Sequence, residues 1–303
     1  MVSLKQLRYF LAVTRQRHFG RAAEACAVSQ PALSMQVQEL ERALGVALLE
    51  RRPRGLRLTP AGEEVARRAA RILTDVQDLA DYAKHGGRVL QGPLRLGVIP
   101  TIAPYLLPPL LPRLRAAFPD LTLSIWETRT ARLLERLRDG DLDVVLLALP
   151  YETGSDIETF ALFEDPFLLA VPYDQKSGEI AHATPDMVTQ DRLLLLEEGH
   201  CLRDQALTYC AFQQVPGVDT LGASSLSTLV ELVANGMGLT LLPQMSVPVE
   251  ARGDRVHLVP FAAPVPTRTI GLAWRATSPR RLEFTTLGGL ISQVAAEGDA
   301  PEL

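Results

Sequence analysis

The chain has 303 residues, 47% hydrophobic and 22% charged, with a formal net charge of −4. That is the profile of a soluble globular protein with room for two or three cores. No apolar run is long enough to cross a membrane, and three cysteines (Cys26, Cys201, Cys210) are too few for a disulfide framework. No secretory leader is read at the N-terminus, so a cytoplasmic protein with reduced thiols is expected. Residues 1–90 carry 15 Lys and Arg against 9 Asp and Glu, and the remainder 16 against 26. A basic end on an acidic body points to a polyanion partner for the first segment alone.

Ser3 with Gln6 makes a capping box, and Leu4, Leu7, Phe10, Leu11 and Thr14 follow at helical spacing. Phe19, Ala22, Ala23 and Cys26 share the face of a second helix, on which Cys26 is expected to be a core thiol. Ser29 is placed to cap a third helix with Pro31 in its first turn; Leu33, Val37, Leu40 and Leu44 form its inner stripe, and Gly45 ends it. A leading helix and then two joined by a tight turn is the pattern of a helix-turn-helix. Gln30, Pro31, Ser34, Met35 and Gln38 fall on the outer face of its recognition helix, which would meet base edges in the major groove of double-stranded DNA, and Ser29 at its head is counted among the DNA-binding residues. Arg51, Arg52, Arg54 and Arg57 fall on a hairpin-like wing around Gly55, placed to bind phosphate.

Thr59-Pro60 opens a long helix to about residue 85. Val65, Ala69, Ile72, Val76, Leu79 and Ala83 alternate steps of four and three along it. This is a coiled-coil seam, which predicts a dimer. Gln91-Gly92-Pro93 is read as a linker. Beyond it, strands at 94–99, 121–126, 143–149, 167–171, 193–197, 239–242, 256–261 and 270–274 alternate with helices at about 103–117, 128–139, 226–234 and 279–296. Such alternation predicts parallel sheets with right-handed crossovers. Ligands in open sheets bind past the carboxyl ends of strands, where Thr101, Thr130 and Cys201 fall. The Ser224-Ser225 and Ser227-Thr228 hydroxyls are read as caps of the helix at 226–234.

Residues 193–210 hold the most chemistry. Four leucines read as a buried strand, Glu198-Gly199 breaks it, and Cys201 opens a helix. The helix N-terminus, with His200 and Arg203 alongside, should lower the thiol pKa. Cys210 lies nine residues on, about 13 Å away along an intact helix. A disulfide needs Cα atoms within about 7 Å. These two cysteines are therefore either a redox switch that must unwind its helix or incidental buried small hydrophobes. With no paired short-spaced ligand set and no fourth ligand, neither a metal centre nor a cofactor is expected.

Phe19-Gly-Arg-Ala-Ala-Glu-Ala, Val28-Ser-Gln-Pro-Ala-Leu-Ser, Leu40-Glu, Leu44-Gly45 and Leu58-Thr-Pro-Ala-Gly resemble the winged helix-turn-helix of LysR-type transcriptional regulators. The resemblance covers the whole chain and departs at Met35 and Gln38, where many members have basic residues. It implies residues 1–58 as a winged helix-turn-helix, 59–90 as a dimerising linker helix and 91–303 as a regulatory domain. That domain would have two α/β subdomains of periplasmic-binding-protein type, about 92–164 with 268–303, and about 165–267. The family's proteins are typically homotetramers, and RNA polymerase is a further partner.

Gly199-His-Cys-Leu-Arg-Asp-Gln-Ala-Leu, Tyr209-Cys210 and Ile99-Pro-Thr-Ile-Ala-Pro-Tyr105 are similar to the sensing segments of the family's peroxide-responsive members. The resemblance implies that hydrogen peroxide oxidises Cys201 and that Cys210 closes a disulfide with it. Thr101, Thr130, His200, Arg203, Asp204 and Arg275 would line the peroxide pocket. Two other readings stay open: a metabolite-sensing regulator with incidental cysteines, and a thiol peroxidase.

Overall fold

The computed structural model describes residues 1–52, 55–85, 89–173, 181–184, 187, 192–212, 220–253 and 255–298. The chain divides into two compact units, one of Met1–Gly86 with Arg138–Asp141 and Thr277–Pro279, and one of the other residues that follow Gly86.

In the first unit, α1 (Leu4–Gln16), α2 (Phe19–Ala25) and α3 (Gln30–Leu44) pack around Phe10, Val13, Ala22, Leu33, Val37 and Leu40. The capping box is formed: Ser3 Oγ accepts from the Gln6 amide at 3.2 Å and Gln6 Oε1 from the Ser3 amide at 3.0 Å. Gly45 ends α3 in the left-handed region at φ 70°, where a Cβ would be strained. Three expectations change. Ser29 has extended N-cap backbone, but its hydroxyl makes no capping bond. Leu44 is exposed, because the stripe turns away from the core in the helix's last turn. Cys26 is the C-cap of α2 and half-buried, since the helix stops before bringing it fully inward.

The wing is β1 (Leu49–Arg52) antiparallel to β2 (Gly55–Leu58). Glu41 holds it to α3 by accepting from the Leu48 and Leu49 amides at 2.8 and 3.1 Å. Thr59 Oγ1 accepts from the Gly62 amide at 2.9 Å and caps α4 (Pro60–His85). Along the seam, Val65 and Ala69 pack on the helix-turn-helix core, whereas Ile72, Val76 and Leu79 are exposed.

The second unit runs β3 (Gly92–Val98), α5 (Ala103–Ala117), β4 (Leu121–Glu127), α6 (Thr130–Arg138), β5 (Val144–Leu149), β6 (Ile157–Pro172), β7 (Leu193–Leu196), α7 (Cys201–Phe212), β8 (Thr220–Ala223), α8 (Leu226–Ala234), β9 (Thr240–Pro243), α9 (Val247–Glu250), β10 (Val256–Pro260), β11 (Thr267–Arg275) and α10 (Arg281–Gly298). Two apolar clusters lie within it. One gathers β3, β5, α5, α6, β11 and α10; the other gathers β7, α8, β9, β10 and the end of β6.

The sheet is mixed, not parallel. β4, β3 and β5 are parallel neighbours, while β11 runs antiparallel to both β5 and β6, and β9 and β10 run antiparallel to β6. The reason is β6. The strand expected at 167–171 begins ten residues earlier and carries the chain from one cluster to the other; β11 brings it back in the opposite direction, so the two pair head to tail. On α8, Ser225 Oγ accepts from the Thr228 amide at 3.2 Å, the cap the sequence leads one to expect.

Gly62 lies in the first turn of α4, where a Cβ would stand 2.0 Å from the Leu48 carbonyl oxygen. Helix propensity alone favours Ala there by about 1 kcal/mol. Overlap with a backbone atom reverses the sign, so Gly62→Ala should cost about 1–3 kcal/mol. Thermal unfolding checks this, and an unchanged or higher midpoint would show that the wing yields freely.

Candidate thiol site and nucleic-acid interface

β7 places four consecutive buried leucines beneath the site. The chain then turns through Gly199, at φ 89°, beside the Arg129 side chain, and enters α7 at Cys201. The first turn of α7 divides its side chains. Leu202 and Ala206 join the cluster under β7, while Cys201 crosses to the cluster of β3, β5 and β11.

Cys201 is 5% exposed, and its thiol is pushed up from its ordinary value, not down. Burial is the largest cause. It outweighs the charge of Arg268, a hydrogen bond with Thr130, and backbone hydrogen bonds with Ala148 and Leu202, which all act downward. The two neighbours expected to activate the thiol are occupied differently. Arg203 donates to the Leu196 carbonyl at 3.1 Å. His200 is buried, and desolvation followed by the nearby Arg129 holds its pKa below the ordinary value, so it is uncharged at neutral pH.

The cation that acts on the sulfur is Arg268, near the start of β11. Its side chain is fully buried, 2.8 Å from Asp165, its cross-strand partner on β6. Its Nη1 donates to Thr101 Oγ1 and its Nη2 to the Thr101 carbonyl, both at 3.0 Å. Nη2 also meets Met245 Sδ at 3.2 Å, and Asp165 Oδ1 accepts from the Met245 amide at 3.0 Å. Thr101 is thus committed to Arg268. Thr130, 1% exposed at the start of α6, has a buried hydroxyl with no well-formed hydrogen bond among the described residues, and the Cys201 thiol feels it as a weaker contact.

Arg275 is not at the thiol. It sits at the far end of β11, seven residues or about 23 Å from Arg268, and donates to the Leu137 and Leu142 carbonyls at 2.9 and 2.7 Å. Both ends of β11 carry an arginine, and nothing in the sequence says which one the fold turns toward Cys201.

Asp204 comes to the site by another route. With Cys201, Gln205 and Thr208 it forms one wall of a cavity of about 390 Å³. Leu149, Tyr151, Phe167 and Pro266 supply much of the other wall. Cys210 lies on the same continuous helix as Cys201, with its side chain outside the described residues. Among the described residues no group of His, Cys, Asp and Glu is arranged to hold a metal ion.

In the first unit, Ser29, Gln30, Pro31, Met35 and Gln38 are exposed on the outer face of α3, and Ser34 is half-buried. Arg51 and Arg52 lie on β1; their side chains, and all of Arg54, fall outside the described residues. Arg57 of β2 is exposed.

Residues 4–63 match the bacterial regulatory helix-turn-helix family of lysR type, and residues 87–296 match the LysR substrate binding domain. The chain is 42% identical over 291 residues to the DNA-binding transcriptional dual regulator OxyR of Escherichia coli K12, covering 96% of this chain and 95% of that one. Among solved structures it is similar to a full-length OxyR variant from Pseudomonas aeruginosa, with a TM-score of 0.80, 39% identity and coverage of 96% and 95%. It is also similar to a Corynebacterium glutamicum OxyR variant described as H2O2-bound, with a TM-score of 0.67, 35% identity and coverage of 98% and 95%.

Since burial raises the Cys201 pKa, the thiolate is scarce at neutral pH and grows about tenfold per pH unit. A difference titration of ultraviolet thiolate absorbance, wild type minus Cys201→Ser, should place the midpoint above about 8.5, the ordinary thiol value. The same shift gives stability that is present below that value and is lost as pH rises from it toward the native pKa. A midpoint below 7 would overturn the burial argument.

Proposed function

This chain belongs to the LysR family of bacterial transcriptional regulators, and from that membership we propose that it is a DNA-binding regulator, not an enzyme, that responds to hydrogen peroxide through Cys201 and Cys210. Residues 1–58 form its DNA-binding domain, 59–90 its linker helix and 91–303 its regulatory domain. The observation that carries the reading is the thiol at the head of α7, faced by the buried Thr130 hydroxyl, which has no other partner among the described residues, and by a buried guanidinium, Arg268.

That environment suits attack on a peroxide. The Cys201 sulfur, as thiolate, bonds to one peroxide oxygen while the O–O bond breaks; the sulfur loses two electrons and becomes a sulfenic acid. The departing hydroxide takes a proton and leaves as water. A donor such as the Thr130 hydroxyl stabilises the negative charge that develops on that oxygen. The Cys210 thiolate then attacks the sulfenic sulfur, forms the S–S bond and expels a second hydroxide, again released as water. The two cysteines lie about 13 Å apart on an intact helix, so closing the bond unwinds α7. Unwinding removes Leu202 and Ala206 from the cluster they help to fill, and this couples sulfur chemistry to the fold. His200, Arg203 and Asp204 act here as the frame of the α7 turn rather than as activators of the thiol.

The output is on DNA. Gln30, Pro31, Ser34, Met35 and Gln38 read base edges, while Ser29 and the wing arginines Arg51, Arg52 and Arg54 hold phosphates. Ser29's lack of a capping bond leaves its hydroxyl available for that contact. The exposed Ile72, Val76 and Leu79 seam of α4 supports a homodimer with two reading heads, assembled further into a homotetramer that engages RNA polymerase. Among the described residues no helix is long and apolar enough to cross a membrane. The protein acts in the cytoplasm, where reductants return the thiols to their starting state.

Counting free thiols after one equivalent of peroxide tests the switch. Wild type should go from three to one, with only Cys26 remaining, and Cys201→Ser should keep both of its thiols. Survival of all three in wild type would instead leave a metabolite-sensing regulator. For the seam, Val76→Glu combined with Leu79→Glu should reduce the homotetramer to a smaller assembly in sedimentation and sharply weaken operator binding. Unchanged sedimentation would rule out α4 as the dimer contact.

A further inference from the structure

Arg268, the cation that acts on the Cys201 sulfur, is gripped by two segments far apart in the chain. Thr101 accepts from two of its nitrogens. The segment of Met245 meets both members of the ion pair: the Met245 amide donates to Asp165, and its Sδ lies 3.2 Å from Arg268 Nη2.

A second contact joins the same two segments. Tyr105, in the first turn of α5 and one helical turn beyond Thr101, donates its hydroxyl proton to Glu250 Oε1 at 2.7 Å. Glu250 ends α9, the helix that follows Met245, and the same oxygen accepts from Ser227 Oγ of α8 at 3.0 Å. Burial and then Glu250 push the Tyr105 hydroxyl above its ordinary pKa, and the charge of Arg268 reaches it with the opposite effect. The phenol therefore stays protonated through the neutral range and keeps its donor. A phenylalanine would fill the same space without the cost of burying a hydroxyl, so what the oxygen adds is the bond and not the packing.

Neither arm between the two contacts is slack. The Tyr105 and Leu106 amides both donate to the Ile102 carbonyl, at 3.1 and 3.0 Å, so the chain from Thr101 to Tyr105 is a helical turn about 6 Å long. On the other arm Ser246 Oγ donates to the Pro243 carbonyl at 2.6 Å, and the 3-10 turn Gln244–Ser246 runs directly into α9. Arg268 joins the arms at one end and the Tyr105–Glu250 bond joins them at the other, which closes a ring. Tyr105 also crosses between cores. Ala103 and Leu106 beside it belong to the cluster of β3, β5 and β11, while Tyr105 packs against the cluster of β7, α8 and β9.

We infer that Tyr105 is a positioning residue for the oxidation of Cys201. Its bond to Glu250 clips the two arms together, and the clipped arms fix the Arg268 guanidinium against the sulfur. Tyr105 acts through Arg268 and takes no part in making or breaking bonds. When the bond is lost the arms part, and the guanidinium spends less of its time in the place where it supports negative charge on sulfur. That support is worth most when it is set before the reaction starts. The inference rests on the peroxide reading of Cys201 and adds to it a residue that reaches the thiol only through the ring.

The experiment follows sulfenic acid formation at Cys201 by hydrogen peroxide across neutral and alkaline pH. It uses the reduced full-length protein with Cys210→Ser as parent, so that the sulfenic acid is not consumed by disulfide closure. Tyr105→Phe should slow the reaction by about threefold to tenfold at neutral pH, the effect of one lost hydrogen bond. It should also displace the pH profile upward by about 0.5 to 1 unit, because the same loss acts on the thiolate. Glu250→Leu breaks the bond from its other side and should reproduce both changes. Glu250→Gln keeps an acceptor oxygen and should stay within about twofold of the parent. A slowing with the pH profile left in place overturns the inference, since that is what a merely structural role gives. If the parent reacts and Tyr105→Phe matches it, only this inference falls. If the parent forms no sulfenic acid, the peroxide reading falls with it.

Discussion

The buried ion pair of Arg268 and Asp165 is the contact on which the regulatory unit turns. It joins adjacent strands in register, and its remaining hydrogen-bonding capacity is used on the Thr101 loop and on the segment holding Met245. Two charges taken out of water are costly unless such partners satisfy them, and removing one member of a buried pair typically costs about 3–5 kcal/mol. The strand that carries Asp165, β6, passes from one apolar cluster to the other, and β11 pairs along it. The pair therefore fixes the geometry at the crossing and places a cation beside the buried Cys201 thiol.

That thiol sits in a balance between opposing terms. Desolvation favours the neutral form, while the guanidinium, the Thr130 hydroxyl and the start of α7 favour the anion. Burial wins in the folded state. The reduced sulfur is thereby kept mostly protonated and shielded, and the groups that stabilise negative charge are already in place for the oxidation proposed at that sulfur. Pre-positioned donors of this kind need no reorganisation during the reaction.

The division of α7 between two clusters gives the sulfur mechanical leverage. Cys201 packs with one cluster and Leu202 and Ala206 with the other, so the helix cannot unwind without disturbing the second core. Four of the residues that line the cavity beside Cys201 come from the same helix. Ligand access, thiol protonation and helix integrity thus depend on one short segment.

The sequence by itself determined whatever is written in local periodicity. This includes the capping box at Ser3, the stripes of α1 and α3, the seam of α4, the leucine strand before Cys201 and the alternation of strand and helix after residue 92. It also set the separation of the two cysteines, because a continuous helix has a known rise. Tertiary structure alone decided that Arg268 rather than Arg275 reaches the thiol, that β6 and β11 make the sheet mixed, that Arg203 turns to a carbonyl and that the Cys201 pKa moves up. Each of these depends on which distant segments are brought together and how much water they exclude. Desolvation is a property of the assembled surroundings, and no spacing along the chain records it.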